Sequence, residues 1–484
     1  MSNQAELAFF RRATSTLRPG APDVFNNVPG HVNWLLRRQP GDQNAGFTIN
    51  GEVDIQRHRG HRRNIGATYS ATSVRKYGPH IDDTLRRFVT KLRVSSQENK
   101  VKSTALDLAA LIYTAVVDCL GTVTLGPDWP PGLVDDAQVA ARHWETGINK
   151  WRQLSLCGSL PWLTRFLQAY PGLKPAVAAL GRLAVPKPKG YVPIEQTAGQ
   201  LTKQRASQFF GIGSTDAKKA DAEAGDQPEC MLEELLRLAA RKPEFKPHHA
   251  TGMATINFIA GRDTTTATAV AALALISSDP AVKARVEAEV RDARNDDGDG
   301  IIIIPDLEKC RYTQACIKEA MRVRPALSLS MPRVVPPPSS TNNNNARRSA
   351  GAEAGLQLHG HELPPGTVVG VNPAALHLNP AVFGPDAASF RPERWLHDDK
   401  DKDKDRALLL LERTSLAWGG GAHACPGRHL AELIVARLVP LLVAEFDVEI
   451  ARVPRLEDMR SFNYFATLTG VQARLHPRRA GGRG

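Results

Sequence analysis

The chain has 484 residues, 42% of them hydrophobic, a composition ordinary for a globular protein and unlike collagenous or disordered chains. Its 62 basic and 50 acidic residues leave a formal net charge of +12, which favours acidic partners, but no basic run interleaved with aromatics marks a nucleic-acid surface. Cysteines stand at 119, 157, 230, 310, 316 and 425 with no CxxC pair, which argues against zinc ribbons, thioredoxin-type centres and disulfide frameworks and places the chain in a reducing compartment.

The N-terminal stretch MSNQAELAFFRRATSTLRPG reads as neither signal peptide nor membrane span, because Glu6, Arg11 and Arg12 interrupt its apolar residues. Residues 105–120, rich in Leu, Ala, Val and Ile, predict a helix. A polar segment, 211–229, reads as an insertion, and residues 231–240 predict an amphipathic helix carrying Leu232, Leu235, Leu236 and Leu238. Residues 251–276 form the longest weakly charged stretch. At ~1.5 Å per residue it is long enough to cross a bilayer. Arg262 and Asp263 near its middle would each cost about 2.5–3.5 kcal/mol there, so it predicts a central helix of a soluble domain.

Pro280 after Asp279 opens a helix towards Arg294, and residues 310–323 predict another, stopped by Pro325. The low-complexity run PPPSSTNNNNARRSAGAEAG at 336–355 cannot bury a core. Residues 356–358 and 367–371 flank HGHELPPG and predict a hairpin. DDKDKDKDR at 398–406 reads as a solvated charge run. Residues 429–446 place Leu430, Leu433, Ile434, Leu438, Leu441 and Leu442 on one apolar face, and 462–475 predict a further hairpin. The fold class is mainly α with small β-sheets, in one domain with three insertions.

Chemistry concentrates in five segments. In WGGGAHACPG, 418–427, three glycines allow a tight turn and close approach to a flat ligand. Cys425 then meets Pro426, Gly427 and a helix start, where backbone N–H groups favour an anion such as a metal-ligating thiolate. A buried structural cysteine in a glycine-rich turn fits this segment as well. AGRDTT, 260–265, puts an acid and hydroxyls inside an apolar helix, where they need partners; threonine back-bonding to its own helix supplies one explanation. Glu319 and Arg322 share a helix face, as many exposed pairs do. FRPERW, 390–395, and HRGHRR, 58–63, complete the set.

Together these segments resemble the cytochrome P450 family, whose haem-binding loop carries an aromatic, two glycines, a basic residue, the cysteine and a final glycine at fixed offsets. Here these are Trp418, Gly419, Gly421, His423, Cys425 and Gly427, with Trp418 where Phe is usual and His423 where Arg is usual. The resemblance makes Cys425 the axial ligand of the iron of haem b. It makes Thr264 a hydrogen-bond donor to dioxygen and Asp263 a proton relay, and has Gly261 admit the haem. It assigns haem propionates to His58, Arg62, Arg333 and His423, and a buried structural ion network to Glu319, Arg322 and Arg394. It covers residues 58–484; residues 1–57 read as a shortened N-terminal region lacking the first strands of a small sheet and any transmembrane anchor. The insertions suggest a fungal-type enzyme; a bacterial-style soluble member is the other resemblance the short N-terminus fits.

The implied activity is insertion of one oxygen atom of O2 into a lipophilic substrate, such as a terpenoid, polyketide or aromatic xenobiotic. Asn257, Phe258, Ala260, Leu329 and Thr467 are the candidate lining residues. No flavin or nicotinamide fingerprint occurs, so electrons are expected from NADPH through a separate flavin-containing reductase, docked near Arg428 and Arg437. The expected location is the cytoplasm or the periphery of the endoplasmic reticulum, with membrane association left open. The rival expectation is a truncated haem-binding homologue with little or no turnover.

Overall fold

The computed structural model describes residues 55–97, 105–127, 194–210, 228–293, 309–328, 361–397, 402–452 and 470–478, with shorter pieces between and before them. Of the insertion segments, 211–227 and 336–355 lie outside the described residues, as do Cys157 and Leu329.

Helices dominate: α1 Ile55–Ile65, α2 Gly78–Gln97, α3 Leu108–Leu125, α4 Ile194–Phe210, α5 Met231–Arg241, α6 Pro247–Ser278, α7 Pro280–Ala293, α8 Arg311–Val323, α9 Lys402–Thr414 and α10 Arg428–Glu445. The axis is α6, on which α3, α4, α5, α8 and α10 all pack. The apolar run between its two ends explains this position, since a helix that is hydrophobic around its circumference is stable only when surrounded. It ends where Asp279 Oδ1 accepts the N–H groups of Ala281 and Val282 at 3.0 and 3.1 Å and starts α7. The chain bends there by 110°.

Among the described residues α3, not α6, has the length and apolarity to cross a membrane, and α3 is buried in the protein core. Asp107 caps it by accepting from Ala109 and Ala110 N–H. Its one carboxylate, Asp118, is also buried. It accepts from Trp129 Nε1 at 3.2 Å and from the N–H groups of Leu133 and Val134 at 3.1 and 2.8 Å, which fastens the following loop onto the helix. Burial pushes the Asp118 carboxyl upward against the pull of those donors. Trp129 lies flat over α3 at Gly121, where an added Cβ would sit 2.4 Å from the indole, and meets Phe258 of α6 at 5.0 Å between ring centroids. Gly261 allows a similar approach, with Leu120 of α3 at 3.2 Å from its would-be Cβ.

Strands are short: β1 Arg18–Pro19, β2 Leu106–Asp107, β3 Arg333–Val334, β4 Leu356–Leu358, β5 His361–Leu363, β6 Val368–Val369, β7 Phe446–Arg452, β8 Arg460–Phe462, β9 Phe465–Thr467 and β10 Gln472–Pro477. One sheet has the order β1–β3–β6 and another β2–β10–β7, all antiparallel.

Four expectations change. The segment 356–358 does not pair with 367–371: β4 turns at once onto β5, with Leu358 opposite His361, and β6 joins β3 instead. Pro364 and Pro365 have no N–H to extend the ladder, and Gly366 at φ +89° redirects the chain. The C-terminal hairpin is two structures, β8–β9 and the long β7–β10 pair. The charge run 398–406 is helical from Lys402 onward, because Leu408 buries itself with Phe383, Ala387 and Trp395 and fixes α9. The N-terminal region, read as lacking the first strands, supplies β1, which covers the edge of β3.

The segment leading to Cys425 is fixed by one buried carboxylate. Glu319 Oε1 accepts from Arg322 Nη2 at 2.7 Å, Arg391 N at 2.9 Å and Arg394 Nε at 3.1 Å. Its Oε2 accepts from Arg322 Nε and Trp395 Nε1, both at 2.8 Å. Burial alone would raise the Glu319 carboxyl; these donors, Arg322 foremost, reverse that and hold it below the ordinary range. Arg322 spends its remaining donors on the carbonyls of His377, Ala387 and Ser389, and Arg394 on those of Phe383 and Asp386. His377 passes the order onward. Its Nδ1 lies 3.2 Å from the Arg322 carbonyl, and its Nε2 accepts the N–H of Leu416 at 2.9 Å, two residues before Trp418.

Two outcomes follow. Gly121→Ala forces Trp129 off α3 and should lower stability by about 1–3 kcal/mol, read from denaturant midpoints. His377 is fully buried, and burial lowers its pKa to about 4. Above pH 6.5 the imidazole is neutral in folded and unfolded chains, and its contribution is complete. Below that value the unfolded chain binds a proton the folded one refuses, so stability falls from pH 6.5 to about 4. The loss should approach about 3 kcal/mol and be missing in His377→Gln, as shown by denaturation at stepped pH.

Candidate active site

The cysteine loop is a tight backbone construction. Gly419 and Gly421 take φ values of +70° and +62°, a region that side-chain-bearing residues rarely enter. Gly419 N–H donates to Leu416 O at 2.9 Å, and Cys425 N–H donates to Trp418 O at 2.8 Å, which closes the loop. Trp418 is half-buried against the core. The loop then enters α10 through Gly427.

Cys119, Cys230, Cys310 and Cys316 are buried, whereas Cys425 presents an exposed side chain. Protein nonetheless surrounds Cys425 densely, and that burial pushes its thiol upward. The N–H groups of Gly427 and Arg428 and the charge of Arg62 act in the opposite direction. These are the helix-terminus donors that the sequence places beside an anion.

Arg62 reaches this neighbourhood from α1, and His58, one turn earlier on α1, stacks on His423 of the loop with ring centroids 4.7 Å apart. Residues 58, 62, 423 and 425 are thus brought together from opposite ends of the chain. Arg333 lies in β3 opposite Val369; only its backbone is among the described features.

The second candidate segment is on α6. This helix is buried along most of its length, yet Ala260 is exposed, and Gly261 and Thr264 are half-buried. Thr264 Oγ1 donates to Ala260 O at 2.7 Å, and Thr268 Oγ1 to Thr264 O at 3.0 Å. Asp263 is buried and accepts from Arg262 Nε at 3.2 Å. An exposed Ala260 within a core helix, small residues beside it, and an exposed thiol in the loop that enters α10, with basic residues gathered around it, suit a flat apolar cofactor with anionic edges. The residues present therefore fit haem.

Three assignments move. Phe258 is fully buried on Trp129, and Asn257 is held by Tyr69, so neither lines the opening as expected; Ala260 does. Arg437 turns inward to Asp82 at 2.9 Å and is not on a docking face, while Arg428 is exposed and bonded to Glu432 at 2.8 Å. Thr467 is placed by its backbone in β9. Glu319, Arg322 and Arg394 meet as the resemblance implies. Sequence reasoning missed Tyr69, His377 and the Trp395 indole as participants; Trp395 lies in a motif already singled out, but nothing flagged the other two.

The chain matches the family model described as Cytochrome P450 over residues 214–468, more than half its length. It is 32% identical over 466 residues to "Cytochrome P450 monooxygenase sdnT" of Sordaria araneosa, covering 93% of this chain and 77% of that protein. It is 28% identical to "Cytochrome P450 monooxygenase gsfF" of Penicillium aethiopicum, covering 87% and 75%. A zebra fish cytochrome P450 structure superposes with a TM-score of 0.62 over 98% of this chain and 92% of that one, at 18% identity, a likeness of fold alone. With the cysteine loop, the opening on α6 and the buried Glu319 network in place, the chain belongs to the cytochrome P450 family of oxygen-incorporating, haem-binding monooxygenases.

Proposed function

We propose that the protein inserts one atom of O2 into a small lipophilic substrate, a terpenoid, polyketide or aromatic xenobiotic, in fungal secondary metabolism or detoxification. The other oxygen atom leaves as water, with two electrons drawn from NADPH through a separate flavin-containing reductase. The observation that carries this reading is Cys425, exposed just before α10 in a glycine turn where His58 and Arg62 of α1 and His423 gather, together with the exposure of Ala260 in the interior of α6.

Cys425 would ligate haem b, and Arg62, His58, His423 and Arg333 would neutralise its propionates in a site of low dielectric. When bound, haem supplies oxygen activation under the electron push of the thiolate. The residues of α6 manage protons. Thr264 holds one at Oγ1, donated to Ala260 O at 2.7 Å, and would offer it to a reacting oxygen after leaving that carbonyl. Asp263, next along the chain, keeps a carboxylate oriented by Arg262 for resupply. Ala260, exposed on α6, would leave room for substrate, whereas Gly261 admits Leu120 of α3 and not the ligand; a small apolar lining suits a molecule with few charges.

The positive net charge and exposed Arg428 favour an acidic face on the reductase. We place the protein in the cytoplasm or at the periphery of the endoplasmic reticulum, where such a reductase is met.

Cys425→Ser should abolish the strongly red-shifted Soret band of the ferrous carbonyl; a retained band would overturn the ligand assignment. Thr264→Ala should keep haem and substrate binding but divert reducing equivalents to peroxide, measured as peroxide formed per NADPH oxidised. Haem bound with a thiolate spectrum, but no NADPH consumption with any reductase, would instead mark a homologue without turnover.

A further inference from the structure

Asn257 stands seven residues before Thr264, two turns away and about 10.5 Å along the same face of α6. That face is open at Ala260 and closed at Asn257. What closes it is a chain of buried polar groups from separate parts of the fold. Tyr69 Oη donates to Asn257 Oδ1 at 2.8 Å, and Asn257 Nδ2 donates to Thr124 Oγ1 of α3 at 3.3 Å, with Met231 Sδ of α5 at 4.0 Å.

Tyr69 follows α1 directly, its N–H bonded to Ile65 O at 3.1 Å, and α1 carries His58 and Arg62. The bond therefore ties the helix of the basic residues to the helix of Thr264. Packing does not call for it, since phenylalanine would fill the same space as Tyr69. Burial raises the Tyr69 hydroxyl pKa far above neutrality, so the group remains a donor throughout the physiological range. The Asn257 amide is engaged at both its oxygen and its nitrogen, which fixes its orientation and leaves the backbone of α6 little freedom to turn at that point.

We propose that Tyr69 and Asn257 are positioning residues whose hydrogen bond sets the rotation of α6 about its axis, and so aims Thr264 into the site. The inference rests on the haem-thiolate reading above.

The test uses haem-loaded protein reduced with dithionite, with carbon monoxide as the probe. Its C–O stretching band, read by infrared, senses the polar groups of α6, while its Soret band reports the Cys425 ligand. Tyr69→Phe should retain the red-shifted Soret band but displace or split the C–O band. The double variant Tyr69→Phe/Asn257→Leu removes both polar partners; it should regain thermal stability while the C–O band stays displaced. It carries the test alone if the single variant does not accumulate. A C–O band identical to wild type, whatever the melting temperature, would overturn the positioning role. A missing red-shifted Soret band in the wild type would instead sink the haem-thiolate reading and is read separately.

Discussion

The carboxylate of Glu319 is the constraint on which the catalytic half of the molecule depends. It has no exposure to solvent, and all its donors come from the protein: two arginine side chains, one indole and one backbone amide. A buried ion is tolerated only when its hydrogen bonds are complete, and removing one partner of such a set leaves an uncompensated charge. Completeness here requires residues 377–395 to wrap around α8 in a single path. That path carries His377 to Leu416, and Leu416 to the glycine turn. The thiol is aimed by an ion network that never touches it.

The opposite wall follows different physics. Packing makes α6 central, and three of its polar groups are held by local bonds: Thr264 and Thr268 back to the helix, Asp263 to its neighbour Arg262. Gly261 lets Leu120 of α3 approach, and Gly121 lets Trp129 lie on α3, where it also meets Phe258 of α6. Rigid apolar contact thus sets the distance of this wall, and a few side-chain hydrogen bonds set its rotation.

Much of this is legible in the sequence, because the features that matter are local. Glycines before a cysteine, an acid and hydroxyls in an apolar run, and an acid three residues from an arginine each occupy fewer than ten residues and have a physical reason at that spacing. The helices from 231 to 323 are equally local in their periodicity. What the sequence conceals is pairing over distance. Nothing near 356–371 announces that Val368 belongs with Arg333 and not with Leu356. Nothing near Arg437 reveals Asp82, and nothing in Asn257 distinguishes a pocket wall from the end of a network reaching Tyr69. Such facts depend on which faces meet after packing, and one residue's character does not encode them.

The sheet β2–β10–β7 joins Leu106 to the last strand among the described residues. His58 likewise meets His423, and β1 meets β3. Contacts so distant in sequence form late, since each closes a long loop before any reward arrives. The chain must therefore be made past residue 425 before His58 and Arg62 can meet the cysteine loop. Until then, the apolar faces of α3 and α6 have no lasting partner and invite aggregation. The junction of α1 with the cysteine loop is thus expected among the later parts of the fold to close, after the local helices have formed.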